Sequence, residues 1–184
     1  MLILGDNLFY GQGLENILHK ASKSNDSCIF AYKVKDPKSY GVVKFDKNFK
    51  VLSLHEKPKK FISNYAIPGI YIYDSNVSTY SKKLKKSNRG ELEITDLNKV
   101  YLKNKSLNVK ILSRGVAWLD AGSPEQMLEA SEYVRVIEKR QGLKIACLEE
   151  ISFRNNWISK KKLLMNISML PECDYKDYLK SILN

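Results

Sequence analysis

The chain has 184 residues, of which 43% are hydrophobic and 28% are charged. This length and apolar content suffice for one domain with a buried core. No apolar run approaches the roughly 18 residues that span a membrane. The net charge is +11, but only five of the 31 basic residues are arginines and the lysines are scattered, which argues against nucleic-acid binding because arginine dominates the readout of base edges. The net positive charge is also compatible with a general attraction to phosphorylated small molecules.

The first part of the chain alternates between apolar runs and turn residues. Periodicity predicts a helix at 14–22 and strands at 1–5, 28–34, 42–46, 49–54 and 65–74. The apolar run 1–5 is typical of a buried strand in a parallel sheet. Lys47-Asn48 indicates a hairpin, and Pro68-Gly69 inside the last strand marks a bulge or a close backbone approach.

The second part of the chain predicts helices at 75–85 and 92–103 and strands at 107–112 and 115–120. A further helix has a clear start, because Ser123 is an N-cap, Pro124 suits the first helical position and Gln126 completes a capping box. It should run to about Gln141 with Gly142 after its end, and the pattern from about residue 148 is helical, broken at Pro171. We therefore predict an α/β domain with a mixed, mostly parallel sheet over 1–122, followed by a helical region over 123–184.

The cysteines indicate the redox compartment. Cys28, Cys147 and Cys173 are widely spaced and form no C-x-x-C pair, as is typical of reduced cysteines in a cytosolic protein. The N-terminus shows no basic region followed by an apolar stretch and a cleavage site, so no secretory signal is indicated. We therefore predict a cytoplasmic protein with no membrane partner.

Two carboxylates follow predicted strands. Asp6 stands in the segment LGDN and Asp120 in WLDAGS. Each one alone is more typical of a turn or a helix cap. Together they lie at the carboxyl ends of strands, where open α/β sheets bind ligands, and there they could share one Mg²⁺.

Two other motifs carry charged residues beside predicted loops. In HEKP, Glu56 and Lys57 are either a surface ion pair or an acceptor for sugar hydroxyls beside a point charge for a phosphate. In RGELEIT, Arg89 precedes a helix, and a solvated helix N-terminus explains that motif equally well. The G-x-G at Gly11 to Gly13 lacks a third glycine and is too weak to indicate a dinucleotide-binding loop.

Taken in order, these motifs resemble the glucose-1-phosphate thymidylyltransferase family, whose members make dTDP-glucose for deoxysugars such as rhamnose. The resemblance covers essentially the whole chain and is far more specific than any single motif. It implies a Rossmann-like, glycosyltransferase-A-like nucleotidyltransferase fold. The segments that carry it are LGDNLFYGQG, DPKSYGVVKFD, LHEKPK, NYAIPGIYIYD, RGELEITDLNKVYL, RGVAWLDAGSPEQMLEAS and IEKRQGLKIACLEEI.

The resemblance implies that a glucose 1-phosphate oxygen attacks the α-phosphate of dTTP and that pyrophosphate leaves. By their places in the motifs, Asp6 and Asp120 would be the Mg²⁺ ligands, and Lys57 would hold the sugar phosphate with help from Arg89. The glucose pocket would then be lined by Tyr40, the Gly41 backbone, Glu56, Ile67 and Tyr71.

The resemblance also bears on completeness and assembly. Family members begin with a Gly-rich G-x-G-T-R-L loop around the nucleoside triphosphate, which this sequence lacks, so we expect a C-terminal portion truncated at its N-terminus. The tail from Ser123 implies a homo-oligomer, a dimer of dimers, and a regulatory nucleotide site that includes Tyr10, Gly11 and Arg114. The alternative hypothesis is a non-catalytic remnant that binds sugar nucleotide or pairs with a full-length subunit.

Overall fold

The computed structural model describes residues 1–24 and 26–183. The chain divides into two compact units, Met1–Met127 and Leu128–Asn184. The division falls shortly after the predicted boundary between residues 122 and 123. Asn184, the last residue of the predicted helical region, lies outside the described residues.

The secondary structure follows the expected alternation and then becomes helical. The strands are β1 (Leu2–Ile3), β2 (Asn7–Gly11), β3 (Ser27–Lys33), β4 (Gly41–Phe45), β5 (Val51–Glu56), β6 (Tyr65–Ile67), β7 (Ile70–Ile72), β8 (Leu107–Ile111) and β9 (Val116–Asp120). The helices are α1 (Leu14–Ser22), α2 (Val77–Ser81), α3 (Ile94–Lys103), α4 (Pro124–Gln141), α5 (Leu148–Arg154), α6 (Lys160–Ser168) and α7 (Asp174–Ser181). No helix of the described residues is long and apolar enough to cross a membrane.

The main sheet is mixed, as predicted, but the expectation that it is mostly parallel is wrong for the described strands. Its order is β1-β7-β3-β6-β4-β5, with β8 also paired to β3, while β2 and β9 form a separate two-stranded ribbon. Among the described pairings, β3 with β8 is the parallel one, and the rest are antiparallel. A parallel neighbour requires a long crossover, and the α3 connection supplies it before β8.

Strand β1 differs most from its prediction. It covers two residues rather than five, and it pairs antiparallel with β7. Leu2 and Ile3 are 43% and 47% exposed, and β1 lies at one edge of the sheet among the described strands. An apolar run identifies a strand by composition but does not specify its neighbours.

Three further differences concern element boundaries. The sequence analysis missed β2, which lies immediately after Asp6. The predicted strand 65–74 is two strands, β6 and β7, separated at Pro68-Gly69, where the Gly69 N–H closely approaches the Asn7 side chain. The predicted helix 75–85 shortens to α2, because the lysine-rich residues after Ser81 offer no apolar face to pack.

The core of the first unit lies on both faces of β3. Cys28 and Phe30 pack on one side with residues of α1, β7 and β9, while Ile29 and Ala31 pack on the other with residues of β4, β5 and β7. This alternation is the period of two that a strand imposes on its side chains. Because β3 is covered on both faces, its neighbours β6, β7 and β8 are held in fixed positions.

The start and end of α4 agree with the prediction. The Ser123 hydroxyl accepts a hydrogen bond from the Gln126 N–H at 3.2 Å, as an N-cap does. Gly142 follows the helix with a φ of 66°, and its N–H donates to the Glu138 carbonyl at 2.9 Å. This left-handed residue closes the helix end, as is typical of glycine at this position.

The second unit contains the helical tail. Helices α5, α6 and α7 pack around a small core of Cys147, Leu163, Ile167 and Leu179. Pro171 lies between α6 and α7, as predicted. All three cysteines are free, with Cys28 and Cys147 buried and Cys173 exposed, which agrees with reduced, mostly buried thiols.

Candidate functional site

The β2–β9 ribbon brings Asp6 and Asp120 together. Asn7 stands opposite Asp120 in the antiparallel register, and the Ala121 N–H donates to the Asp6 carbonyl at 2.7 Å. Asp6 therefore lies at the entry to β2 and Asp120 at the end of β9. The predicted pair is adjacent, but the expected reason, two parallel strands ending at one edge, is wrong.

Both carboxylates converge on Gly122. A Cβ built there would lie 3.3 Å from the Asp120 Oδ1 and 3.7 Å from the Asp6 Oδ2, so both carboxylates lie close to this glycine. Burial and the Asp6 charge raise the pKa of Asp120, while the Gly122 N–H and the Lys57 charge partly oppose that shift. Two carboxylates that repel each other in one place form a site that a cation stabilises.

The donor set fits a magnesium-type ion. Carboxylate oxygens are its preferred protein ligands, and Mg²⁺ is commonly held by one or two carboxylates together with substrate phosphates and water. Within the described residues no group of three or more His, Cys, Asp or Glu side chains could hold a metal. Asp6 and Asp120 could therefore bind such an ion as a pair, with its remaining positions open to a phosphate.

Asn7 fixes the Asp6 carboxylate, and the sequence analysis missed it. Its Nδ2 donates to Asp6 Oδ1 at 2.7 Å. Its Oδ1 accepts hydrogen bonds from the Gly69 N–H at 2.9 Å and from the Trp118 indole N–H at 2.6 Å. Trp118 was missed as well, although it precedes Asp120 by two residues on β9, and alternate strand residues share a face.

Lys57 lies beside the carboxylate pair. It follows β5 with a φ of 37°, a left-handed conformation that is uncommon for a residue with a side chain. Its N–H donates to the Tyr40 carbonyl at 3.1 Å, and its side chain is exposed. The Lys57 ammonium lowers the pKa of Asp120, so its positive charge acts on this carboxylate.

Glu56 is held by a residue that the sequence analysis did not single out. The hydroxyl of the buried Thr95, at the start of α3, donates to Glu56 Oε2 at 2.5 Å. Gly41 lies directly opposite Glu56 on β4. A Cβ on Gly41 would meet Thr95 Oγ1 at 3.0 Å, Glu56 Oε2 at 3.4 Å and Ile67 Cβ at 3.7 Å. Gly41, Glu56 and Ile67 are thus together, as predicted, and Thr95 lies among them.

The two tyrosines of the predicted pocket are each linked to other residues of the site. Tyr71 is buried, and burial together with the Glu56 and Asp6 charges raises the pKa of its hydroxyl. The Glu56 and Asp6 carboxylates therefore both act on the Tyr71 hydroxyl. Tyr40 packs its ring against Trp118 at a centroid distance of 4.9 Å, next to the Asn7 and Asp6 contacts.

Arg89 lies on the Glu56 side of the site. Its guanidinium is 2.7 Å from the Glu91 carboxylate and 3.7 Å from each of the Glu56 and Glu93 carboxylates. Its side chain is 42% exposed, which leaves it accessible to an anionic ligand. The structure thus brings Arg89 to the predicted pocket through the Glu56 ion pair.

The three residues predicted for regulation lie at the other end of the β2–β9 ribbon. Tyr10 and Gly11 pair with Ala117 and Val116, and Arg114 lies in the turn before β9. A Cβ on Gly11 would come within 2.2 Å of the Gly115 carbonyl oxygen. A glycine is therefore needed here for close backbone packing, whatever else the position does.

Comparison with known proteins defines the class. Residues 1–136 match the profile of the nucleotidyl transferase family, and the chain belongs to that family. A glucose-1-phosphate thymidylyltransferase from Neisseria gonorrhoeae is 48% identical over 97% of this chain and 62% of its own length. The enzyme of that name from Mycobacterium tuberculosis is 46% identical over 99% of this chain and 63% of its own length. The chain thus spans less than two thirds of these relatives.

Solved structures agree with this family. A protein from Bacillus anthracis, assigned as a glucose-1-phosphate thymidylyltransferase and crystallised with a sucrose, matches with a TM-score of 0.62 and 38% identity, over 72% of this chain and 53% of that one. A UDP-glucose pyrophosphorylase complexed with UDP-glucose has the same fold, with a TM-score of 0.62 and 24% identity, over 71% of this chain and 53% of that one. The predicted α/β nucleotidyltransferase fold is confirmed.

Proposed function

We propose that the protein transfers a thymidylyl group from dTTP to glucose 1-phosphate, giving dTDP-glucose and pyrophosphate for deoxysugar synthesis. One observation carries the proposal: the Asp6 and Asp120 carboxylates meet at Gly122, beside the Lys57 ammonium. Relatives at 45–48% identity are glucose-1-phosphate thymidylyltransferases, which supports this choice of nucleotide and sugar.

The reaction is an in-line displacement at phosphorus. An oxygen of the sugar phosphate forms a bond to the α-phosphorus of dTTP, and the bond from that phosphorus to the bridging oxygen of the leaving group breaks. Pyrophosphate departs with the electron pair. Such chemistry needs little covalent help, so positioning and charge neutralisation by the protein carry it.

In this proposal Asp6 and Asp120 hold a divalent cation, Mg²⁺, as catalytic residues. When bound, the ion would neutralise negative charge on the phosphate oxygens. Asn7 is a positioning residue, because it donates to Asp6 while its own oxygen is fixed by Gly69 and Trp118. Lys57 grips the phosphate of the sugar substrate from the side of Asp120.

The sugar would occupy the space around Glu56. Its hydroxyls would donate to the Glu56 carboxylate, which Thr95 orients, and the Gly41 backbone could approach a sugar oxygen because no side chain intervenes. Ile67, Tyr71 and Tyr40 would line this pocket. Arg89, next to Glu56, would assist Lys57 with the phosphate.

Assembly, location and regulation remain part of the proposal. We keep the cytoplasmic, homo-oligomeric enzyme, a dimer of dimers, that the resemblance implied, with Tyr10, Gly11 and Arg114 as a candidate regulatory nucleotide site. The proposal also assigns the sugar-phosphate site to the first domain and assembly to the helical region that follows it. The alternative of a non-catalytic remnant is not favoured by the comparisons, since the named relatives are transferases.

The test combines turnover with equilibrium binding. Pyrophosphate release from dTTP and glucose 1-phosphate, assayed with a form extended at its N-terminus to the length of the relatives, should fall by about 100-fold or more in Asp120→Asn, because charge neutralisation is lost. Lys57→Ala should weaken glucose 1-phosphate binding, measured by calorimetry, by roughly 10- to 100-fold, the usual value of a charged hydrogen bond. Lys82→Ala, a change at an exposed lysine, is the control. Unaltered binding and turnover in both site variants would contradict the proposal.

A further inference from the structure

Two surface loops beside the candidate site are joined to each other at both ends. At one end, the Val34 N–H donates to the Asn64 carbonyl at 2.9 Å. At the other end, the Lys57 N–H donates to the Tyr40 carbonyl at 3.1 Å. Backbone bonds at both ends fix the spacing of the loops. We call residues 35–39 and 58–63 the paired loops.

The paired loops enclose a cleft of about 360 Å³. Three of its lining residues are lysines, Lys35, Lys38 and Lys60, and the acidic residue among them is Asp36. The ring of Phe61 forms one wall and is 68% exposed. Two prolines complete the lining and restrict the backbone of each loop. The cleft is therefore preorganised and positively charged.

The charges of these lysines are only partly offset, because three lysines and one aspartate line the cleft and leave it with a net positive charge. Within residues 1–24 and 26–183, none of Lys35, Lys38 and Lys60 forms an ion pair. The Asp36 carboxylate accepts a hydrogen bond from the Lys38 N–H at 3.2 Å, so it serves the turn. Lysine ammoniums bind phosphate as point charges, and three around one cleft favour an anion with more than one negative charge.

We propose that the cleft between the paired loops is a second anion site, which binds a phosphate or diphosphate group. It shares the Lys57–Tyr40 backbone bond with the candidate active site but uses other side chains. The phosphate can come from inorganic pyrophosphate or from a nucleotide, whose base could stack on Phe61. The proposal stands without the proposed function, because none of the side chains that line the cleft takes part in the transfer.

The test is an NMR titration of the ¹⁵N-labelled chain with inorganic pyrophosphate in metal-free buffer. We expect saturable shifts of the amides of the paired loops, with affinity falling as NaCl rises, because salt screens exposed charges. The triple variant Lys35→Gln, Lys38→Gln and Lys60→Gln should lose about tenfold or more in affinity. A matched variant that changes Lys82, Lys83 and Lys85 to Gln carries the same net charge and should bind within about twofold of wild type.

A second titration identifies the source of the phosphate. If a nucleotide is the ligand, Phe61→Ala weakens binding of dTTP and leaves binding of pyrophosphate unchanged; if the phosphate alone is recognised, Phe61→Ala changes neither. Equal losses in the two lysine variants, or no shift in the paired loops, would overturn the site. Spectra of all variants that agree with wild type away from the substitutions confirm that each still folds.

Discussion

At the scale of single residues, the protonation of Asp120 links the charge of the site to the stability of the fold. Burial and the neighbouring Asp6 raise the pKa of its carboxyl above the ordinary 3.8. An acid whose pKa is higher in the folded state than in the unfolded state stabilises the folded state most when it is protonated. Its contribution to stability is therefore fully present below pH 3.8 and is lost as the pH rises through the raised pKa.

Asp120→Asn should consequently stabilise the metal-free protein at neutral pH, because the neutral amide removes the repulsion with Asp6. The gain in Tm over wild type should be largest at pH 7 and should shrink as the pH falls towards 3.8. Thermal unfolding at several pH values measures this difference. Millimolar Mg²⁺ should then raise the Tm of wild type and not that of the variant, since ligand binding to the folded state stabilises it. A variant less stable than wild type at pH 7 would contradict the account.

Individual site residues differed in how far the sequence could predict them. Asp6, Asp120, Glu56 and Lys57 stand in motifs next to strand ends, so local pattern made them candidates, and the family resemblance was needed to assign their roles. Thr95 could not be selected, because its role depends on a hydrogen bond to a residue that is distant in the sequence. Asn7 was missed for the same reason, since its partners are on β9 and at Gly69.

At the scale of elements, the β2–β9 ribbon connects the carboxylate pair at one end to Gly11 at the other. Its register sets Asp6 beside Asp120 at one end and Gly11 opposite Val116 at the other. A disturbance of the pairing at the Gly11 end should therefore reach the carboxylate pair. The backbone ladder between the two ends provides the physical connection.

Gly11→Ala tests this connection. Its Cβ would lie 2.2 Å from the Gly115 carbonyl oxygen, so the strands must separate there. We expect a loss of about 2 kcal/mol or more in the free energy of unfolding, as for overpacked sites, and weaker Mg²⁺ binding. Gly13→Ala is the matched control: its φ of 82° is also unfavourable for alanine, but a Cβ there meets nothing within 4 Å. Chemical denaturation and Mg²⁺ titration of both variants measure the effects, and equal losses would contradict this interpretation.

The elements themselves were predictable where their contacts are local. The β4–β5 hairpin and the start and end of α4 follow from turn and capping residues that lie side by side in the sequence. Strand β2 was not predictable, because five residues between Asp6 and Gln12 become a strand only by pairing with distant β9. Its polar and glycine ends suggested a turn instead.

At the scale of the whole molecule, composition and the order of elements predicted the α/β class, and the match to the nucleotidyl transferase family confirms it. Strand direction was not predictable, because it depends on which strands become neighbours and an apolar run does not specify its partners. The main sheet and the β2–β9 ribbon together place the carboxylate pair, Lys57 and the residues around Glu56 in one compact unit, Met1–Met127. The proposed chemistry therefore depends on long-range pairing rather than on any one motif.

The central claim is that one divalent cation binds between Asp6 and Asp120. Mn²⁺ tests it directly, because this paramagnetic ion broadens NMR signals close to it. The Trp118 indole N–H donates to Asn7, which in turn donates to Asp6, and its signal is assigned by comparison with Trp157→Phe. We predict that one equivalent of Mn²⁺ broadens the Trp118 signal, that excess Mg²⁺ restores it, and that the Asp6→Asn, Asp120→Asn double variant shows no broadening. A Trp118 signal that stays sharp in wild type, or broadens equally in the double variant, would contradict the account.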